Sequence, residues 1–321
     1  MFTRLIPAPA EETAAVTWDD TACPLCGHAD AETVLEAPDP TPAGGPGLVF
    51  AVVKCRRCGL AYTNPRPDAE SIGAFYPADY RPHRRPRKMS GARPRSWAAR
   101  LTGRGCNERR GLLPWPGPGR LLDFGCGGGS YLKRMADQGW AVTGLDASVG
   151  AVRRVQEELG LAALVGTLPH PDLDPGSFEV VTMWHSLEHV HDPVGILREA
   201  FRLLVPGGKL VVACPNIAGW PFKWFGPSWF GLDLPRHLTH FTPATLAETL
   251  AVAGFRVEAV RMIRHSDWLR SSAKLAVRAV TAGEWARALT WKPLAKAAAA
   301  ACHAFGKSDC MMAVAERPGS A

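Results

Sequence analysis

The sequence lacks any apolar run close to the roughly 20 residues that a transmembrane helix needs, so it predicts no membrane-spanning helix. Residues 1–12 also lack the long apolar stretch of a secretion signal, and we therefore expect a cytoplasmic protein. The nine cysteines are an odd number, which together with the missing signal argues against a disulfide framework. These absences disfavour an integral membrane protein and a secreted, disulfide-rich domain.

Acidic residues are nearly absent from one segment of the chain. Residues 81–110 contain eleven Lys and Arg residues and one acidic residue, Glu108, whereas the net charge of the whole chain is +7. Residues 81–110 thus carry a net charge of +10, and the remaining residues carry a net charge of −3. A solvated, Pro-rich connector explains such a segment, and so does an arm that contacts the phosphates of a nucleic acid or of a nucleotide-linked substrate.

Four of the cysteines form two C-x-x-C-G motifs, at residues 23–27 and 55–59. Each motif places two thiolates on one side of a tight turn, and the following glycine tolerates the positive φ that such a turn requires. Four thiolates in a tetrahedral array make a closed, structural Zn²⁺ site. The pattern predicts a zinc ribbon over residues 19–66, a unit that either grips nucleic acid or acts as a structural cap. The predicted ligands are Cys23, Cys26, Cys55 and Cys58.

The remaining chain divides by composition. A loose tail is predicted over residues 1–18, and a Pro/Arg-rich linker with a possible lid over residues 67–118. From residue 119 to residue 321, short apolar runs alternate with helical patterns, which predicts a doubly wound, parallel α/β sheet. Within that domain, the aromatic-rich residues 216–242 are expected to face a substrate, and the Ala-rich residues 267–305 are expected to form two helices.

The first predicted strand of this domain runs into a glycine-rich turn at residues 125–129. Glycines let the backbone turn sharply and let a ligand approach the main chain. A helix is predicted from Ser130, and the next strand ends at Asp146, which follows Asp123 by 23 residues. An acidic residue at the tip of the second strand is placed to hold two ribose hydroxyls.

Dinucleotide binding is the alternative interpretation of this turn. In the dinucleotide fingerprint a third small residue would fall at position 130, where the chain has Ser rather than Gly or Ala. Asp123, directly before the turn, is poorly placed for a pyrophosphate but suits the ammonium group of a methionine moiety. These two residues favour S-adenosylmethionine over a dinucleotide.

Residues 120–214 resemble the core of the class I S-adenosylmethionine-dependent methyltransferases. The motifs that carry the likeness are residues 121–129 (LLDFGCGGG), 144–148 (GLDAS), 176–190 (GSFEVVTMWHSLEHV) and 203–210 (LLVPGGKL). The resemblance implies a Rossmann-like, seven-stranded sheet and S-adenosylmethionine as cofactor. It assigns the methionine end of the cofactor to Asp123, Gly125, Cys126, Gly127 and Gly129. It assigns the rest to Asp146 and Ala147 for ribose, Thr167 and Leu168 for adenine, and Trp184 and His185 for closing the pocket.

The acceptor side of the reaction needs an aligned nucleophile and, in many cases, a base. Residues 235–241 (PRHLTHF) resemble a motif of small methyltransferases in polysaccharide and natural-product pathways. They are more distantly similar to zinc-containing deoxysugar C-methyltransferases, whose catalytic histidine has a similar context. The resemblance makes His237 the candidate base, and its alternative role is to bond the backbone where a helix begins. The other catalytic candidates are His240, His185, His189 and Tyr76.

A second pattern lies at residues 185–189, directly after the fourth predicted strand. His185, Glu188 and His189 have spacings that would place them on one face of a helix. They either bind a divalent metal ion or only shape the turn beneath the cofactor.

The leading hypothesis is methyl transfer to a small-molecule acceptor, namely a sugar, glycan or natural-product intermediate, with a histidine as base. An RNA methyltransferase that uses the ribbon and the basic linker for binding is the rival. The Asn-Pro-Pro-aromatic motif of exocyclic-amine enzymes is absent after the fourth strand, where residues 184–187 read WHSL. A zinc-ribbon binding protein with a vestigial pocket is a third, non-catalytic possibility.

Overall fold

The computed structural model describes residues 16–41, 47–76, 118–280 and 283–319. Most of the predicted tail at 1–18 and of the predicted linker at 67–118 lies outside these residues. The basic segment 81–110 lies outside them entirely, so the two interpretations of that segment stay predictions.

Five strands belong to the N-terminal part: β1 (Trp18–Asp19), β2 (Ala31–Pro38), β3 (Val49–Cys55), β4 (Ala61–Thr63) and β5 (Arg66–Pro67). Strands β2, β3 and β4 pair antiparallel in that order, and β1 pairs with β5. The free edge of β4 pairs with β11 (Thr239–His240), which lies in the C-terminal half of the chain. The predicted ribbon and the predicted substrate segment therefore share one sheet.

Seven strands form the main sheet: β6 (Arg120–Phe124), β7 (Ala141–Asp146), β8 (Ala162–Val165), β9 (Phe178–Trp184), β10 (Leu204–Pro215), β12 (Arg256–Ile263) and β13 (Cys310–Glu316). Their order across the sheet is β12-β13-β10-β9-β6-β7-β8. Strand β13 runs antiparallel to its two neighbours, β10 and β12. The remaining pairs, which join β10, β9, β6, β7 and β8 in that order, are parallel. This arrangement confirms the predicted Rossmann-like, doubly wound, seven-stranded sheet.

The described residues contain eight α-helices: α1 (Ser130–Ala136), α2 (Val149–Leu159), α3 (Pro193–Leu203), α4 (Trp220–Phe225), α5 (Pro243–Val252), α6 (Ser266–Arg278), α7 (Glu284–Thr290) and α8 (Lys292–Ala304). Three short 3₁₀ helices span Ile72–Phe75, Leu187–His189 and Gly226–Ser228. Within the described part of the chain, no helix combines the length and the apolar character needed to cross a membrane.

Local sequence accounts for where several helices begin. Helix α5 begins after Thr242, because the Thr242 hydroxyl accepts the Thr245 backbone N–H at 3.1 Å and Pro243 takes the first helical position. Helix α3 begins in the same way, with Asp192 accepting the Gly195 N–H at 2.8 Å. Each cap satisfies a backbone donor that has no partner within the helix.

The Ala-rich segment contradicts the expectation of two helices, because it forms three. One break falls at Trp291, two residues before Pro293. The other follows Ala279, where Val280 has a φ of +54° and α7 begins after Gly283. The sequence around Val280 contains no proline and no pair of glycines that would mark this second break.

The order of the strands determines where a ligand can bind. The chain leaves β6 toward β7 and β8 on one side, then returns to place β9 and β10 on the other side. A crevice opens at such a switch point, beyond the carboxyl ends of the strands. The sheet beneath it is rigid, since consecutive residues such as Leu121 and Leu122 are fully buried on opposite faces of β6.

Candidate active site

The glycine-rich turn after β6 adopts backbone conformations that only glycine takes easily. Gly125, Gly127 and Gly129 have φ values of +73°, +52° and +73°. A Cβ at position 125 would lie 2.5 Å from the Ser186 Cβ, and one at position 129 would lie 2.7 Å from side-chain atoms of α2. The turn therefore requires small residues both for its conformation and for its close contact with neighbouring elements.

Asp146 ends β7 beside this turn and is buried. One carboxylate oxygen accepts the Gly127 N–H at 2.8 Å, and the other accepts the Ser148 N–H at 2.8 Å. The backbone thus orients the Asp146 side chain beside the glycine-rich turn, at the position that the sequence predicts for a ribose-binding carboxylate.

Asp123 lies at the C-terminal end of β6 and is only 2% exposed. Its Oδ1 accepts a hydrogen bond of 2.6 Å from the hydroxyl of Thr182 on β9. Sequence reasoning did not single out Thr182, although its position opposite Asp123 follows from the pairing of β6 with β9. Asp123 and Asp146 therefore flank the turn from neighbouring strands, as the prediction for the two ends of the cofactor requires.

The two residues predicted to hold adenine differ in their exposure to solvent. Thr167 is exposed beyond β8, whereas Leu168 is buried in the core with Phe124 and Leu145. On the other side of the crevice, the Trp184 ring lies 5.2 Å from the Tyr131 ring. Ala147, which follows Asp146, is exposed, whereas Cys126, within the glycine-rich turn, is buried.

A cluster of buried polar side chains lies beyond β9. Ligand atoms of Glu188, His189 and His237 all fall within 4.8 Å of one another. The two histidine rings meet edge to face, with centroids 4.6 Å apart. Glu188 is fully buried, and its Oε2 has no hydrogen-bond partner among the described residues. A buried oxygen without a partner is costly, which is typical of a site that awaits a ligand.

Backbone carbonyls orient both histidines of this cluster. The Nδ1 of His237 donates to the Gly231 carbonyl at 2.9 Å, which leaves the lone pair of the neutral ring on Nε2. Asp233 lies near that nitrogen, with its Oδ2 4.0 Å away. The Nδ1 of His189 lies 2.9 Å from the Arg236 carbonyl.

Burial controls protonation in this cluster. It lowers the pKa of His189 to about 4, and it also lowers the pKa of His237, although the charges of Asp233 and Glu188 oppose the effect there. Burial raises the pKa of Glu188. Both rings are therefore neutral near pH 7 and able to accept a proton.

Tyr76 connects the N-terminal part to this cluster. Its hydroxyl lies 3.0 Å from the Nδ1 of His189. Burial raises the pKa of Tyr76, and the charges of Asp233, Glu188 and Asp146 raise it further. The phenol is thus protonated and lies within electrostatic range of both the ribose carboxylate and the histidines. The rest of the predicted lid, residues 77–80, lies outside the described residues.

His185 belongs to a separate set of contacts. Its Nδ1 lies 3.3 Å from Glu188 Oε1 and its ring lies 4.9 Å from the Trp268 ring. Its φ of +56° is unusual for a residue other than glycine and indicates local strain. The structure keeps His185 beside Glu188, but the three residues do not lie on one face of an α-helix, contrary to the prediction from the sequence. A 3₁₀ helix at 187–189 replaces the α-helix, and His237 takes the place beside Glu188 and His189.

His240 lies apart from the crevice. It is 2% exposed on β11, where its Nε2 lies 3.2 Å from the hydroxyl of Thr63 on β4. The same hydroxyl donates to the His237 carbonyl at 2.8 Å. His240 therefore joins the small sheet to the loop that carries His237.

A buried ion pair holds that loop from the other side. The Arg236 guanidinium is fully buried and donates to Asp39 at 2.8 Å, to Asp233 at 2.9 Å and to the Phe75 carbonyl at 2.8 Å. Asp39 and Phe75 belong to the N-terminal part, so this part fixes the residue next to His237. No signal in the sequence pairs Arg236 with Asp39, because nothing local relates two residues 197 positions apart.

The four motif cysteines lie together, as predicted. Their sulfur atoms all fall within 4.8 Å of one another. The Sγ of Cys23 is 3.5 Å from that of Cys58, and the Sγ of Cys26 is 3.6 Å from that of Cys55. The glycines that follow each motif have φ values of +70° and +75°, as the turns require.

Comparison with known proteins agrees with this geometry. Residues 83–260 match the family model described as a methyltransferase domain, which covers more than half of the chain. A ubiquinone biosynthesis O-methyltransferase from Xanthomonas euvesicatoria is 36% identical over 171 residues, covering 50% of this chain and 71% of that protein. A Pseudomonas aeruginosa protein of the same name is 37% identical over 116 residues, or 34% of this chain and 48% of that protein.

Among solved structures, an S-adenosylmethionine-dependent methyltransferase from Methanosarcina mazei matches with a TM-score of 0.47 and 18% identity, over 65% of this chain and 99% of that chain. The family model and the curated relative identify the activity, and the predictions of a methyltransferase and of S-adenosylmethionine as its cofactor are confirmed. The chain belongs to the methyltransferase domain family and is an S-adenosylmethionine-dependent methyltransferase.

Proposed function

We propose that the enzyme methylates a hydroxyl group of a small molecule, such as a sugar, glycan or natural-product intermediate, with His237 as the general base. The observation that carries the proposal is the neutral, oriented imidazole of His237, whose Nε2 is free of the backbone bond made by Nδ1. The curated relatives are named as O-methyltransferases of ubiquinone biosynthesis, which favours an oxygen acceptor over nitrogen or carbon.

In the proposed reaction, His237 Nε2 takes the proton of the acceptor hydroxyl while its oxygen attacks the methyl carbon. The carbon–sulfur bond of the sulfonium breaks, and S-adenosylhomocysteine and the methyl ether are the products. The carboxylate of Asp233, 4.0 Å from Nε2, stabilises the imidazolium as it forms. Asp123 and Asp146 would hold the two ends of the cofactor, which would supply the methyl group.

The same residues support a second mechanism. Glu188, His189 and His237 also form a set of one carboxylate and two imidazoles that suits a divalent cation. In that case the cation, rather than a free imidazole, would lower the pKa of the acceptor hydroxyl. Turnover that is lost on chelation and recovered with Mg²⁺ or Mn²⁺, in a protein whose thiolate site is intact, would favour this mechanism.

The proposed acceptor class is tested by measuring S-adenosylhomocysteine release. We expect release with a panel of hydroxylated small molecules, with a methyl ether in the product's mass spectrum. A bulk RNA preparation is the comparison, and release with RNA alone, together with binding that weakens steeply as salt increases, would overturn the small-molecule proposal in favour of the RNA rival.

We also propose that the four cysteines hold a structural Zn²⁺. Tetrahedral zinc with sulfur ligands at about 2.3 Å separates neighbouring sulfurs by about 3.8 Å, which the measured separations approach closely. All four protein ligands would be thiolates, so the site would have no open position for a substrate. Its role would be to hold β2, β3 and β4 and, through Thr63 and Asp39, the loop of His237.

Replacing Cys26 with Ser is expected to reduce zinc from one equivalent to less than about one tenth and to destabilise the N-terminal sheet. Turnover should fall much more than affinity for S-adenosylmethionine, because the cofactor's predicted ligands lie on the main sheet. Elemental analysis gives the zinc content and calorimetry the affinity. Cys302→Ser, a buried cysteine outside both motifs, is the control; full zinc content in Cys26→Ser would contradict the assignment.

A further inference from the structure

One side of the C-terminal helical layer exposes large apolar side chains. Trp291, Leu294 and Phe305 are 62%, 41% and 69% exposed. Leu294 lies in α8 and the other two directly flank the helix, and their spacing places the three on one side of it. Trp285 of α7 is 46% exposed. Single exposed apolar residues are common, but a row of this kind marks an interaction surface.

Helix α4 extends this surface. Trp224 is 38% exposed, and its ring lies 6.1 Å from that of Trp220, which in turn lies 5.3 Å from Phe305. At the other end of α4, Phe225 lies 5.3 Å from Trp285. Aromatic rings of α4 thus contact Phe305, at the end of α8, and Trp285 of α7. We call the exposed side chains of this layer, Trp224, Trp285, Trp291, Leu294 and Phe305, the aromatic face.

The exposed side of α8 is unusual in composition. Apart from Lys292, Lys296 and His303, the helix contains only Pro, Leu, Ala and Cys, and its buried stripe is formed by Ala295, Ala299 and Cys302. An ordinary surface helix carries charged residues opposite its buried stripe. The side of α8 opposite its buried stripe instead exposes alanines, so it forms few hydrogen bonds with water.

The segments that carry the aromatic face are rich in basic residues. Residues 264–307 and 220–225 contain nine Lys and Arg residues and two acidic residues. The acidic residues already form ion pairs, Asp267 with Arg270 and Glu284 with Arg287. The basic residues without an ion pair among the described residues are Lys223, Arg264, Lys274, Arg278, Lys292, Lys296 and Lys307.

We propose that the aromatic face binds the surface of an anionic lipid bilayer. Tryptophan rings favour the boundary between headgroups and acyl chains, and lysines beside them attract anionic headgroups. A second copy of the chain fits less well, because a symmetric contact would bring two strongly basic surfaces together. The enzyme would lie on the membrane through this face without spanning it. The proposal does not depend on the acceptor proposed above.

Co-sedimentation with vesicles tests the proposal. Phosphatidylcholine vesicles containing about one third phosphatidylglycerol should bind the chain at low salt, and pure phosphatidylcholine should bind it about tenfold more weakly. Replacing Trp285, Trp291 and Phe305 with Ser should reduce binding to the anionic vesicles about tenfold or more, because it removes the apolar part of the surface. Lys292→Gln with Lys296→Gln should reduce it about tenfold.

Control measurements separate this surface from the rest of the molecule. Val252→Ser removes another exposed apolar side chain, 45% exposed on α5, and should leave vesicle binding unchanged. Affinity for S-adenosylmethionine, measured by calorimetry, should be the same in all variants and shows that they fold. Vesicle binding that survives the triple substitution would overturn the proposal and assign the binding elsewhere, such as to the basic segment 81–110. A dimer that the triple substitution converts to monomer would overturn it in favour of a second copy.

Discussion

Replacing Asp146 with Ala should weaken binding of S-adenosylmethionine by about 100-fold or more. Two ribose hydroxyls that donate to one carboxylate contribute about 1.5–3 kcal/mol each, and 1.4 kcal/mol corresponds to a factor of ten in affinity. The variant also loses the acceptor of the Gly127 and Ser148 N–H groups, so the glycine-rich turn loses part of its support. Calorimetry measures the affinity directly.

Asp137→Ala is the matched control, because it removes an exposed carboxylate from the end of the helix that follows the same turn. That variant should bind the cofactor like the unchanged chain. Thermal melting of both variants checks that the sheet remains folded. An Asp146→Ala variant that melts normally and binds within about threefold of the unchanged chain would show that the ribose lies elsewhere.

Replacing His237 with Ala should lower turnover by about 10²–10⁴-fold, the range over which general bases contribute, without changing affinity for the cofactor. His237→Asn separates this role from a structural one. The asparagine amide can still donate to the Gly231 carbonyl, as Nδ1 does now, but it has nothing in place of Nε2. Loss of turnover in both variants shows that Nε2 acts in the reaction, whereas normal turnover in His237→Asn leaves His237 only a backbone contact.

The pH dependence of turnover follows from the pKa shift in His237. Because burial lowers that pKa, the neutral form that accepts a proton persists below the pH at which a free histidine titrates. The pH at which the rate falls to half its plateau should therefore lie below the value of about 6.5 at which a free histidine titrates. A decline already complete at neutral pH would show that the group that titrates is not this buried imidazole.

The sheet and the cofactor pocket follow from local sequence. Each buried strand is a short apolar run, the glycines mark a turn whose φ values exclude most other residues, and Asp123 and Asp146 end adjacent strands of the sheet. Such signals lie within a few residues of the features that they predict. The position of Asp146 in particular needs only the alternation of strands and helices.

The acceptor side depends on contacts between distant segments, and sequence reasoning did not find them. Strand β11 joins the N-terminal sheet, and Arg236 pairs with Asp39, although neither relation has a periodic or spacing signature. The sequence pointed to His240 as catalytic because it stands in the same motif as His237. In the structure its backbone pairs with β4 and its ring is buried, where burial lowers its pKa to about 3.

A crystal structure of the chain with S-adenosylhomocysteine tests the central claim most directly. The account predicts that both ribose hydroxyls bond to Asp146, that the amino acid end lies over the glycine-rich turn beside Asp123, and that the sulfur faces His237. A ribose bound away from Asp146, or a sulfur directed away from the cluster of Glu188, His189 and His237, would contradict it.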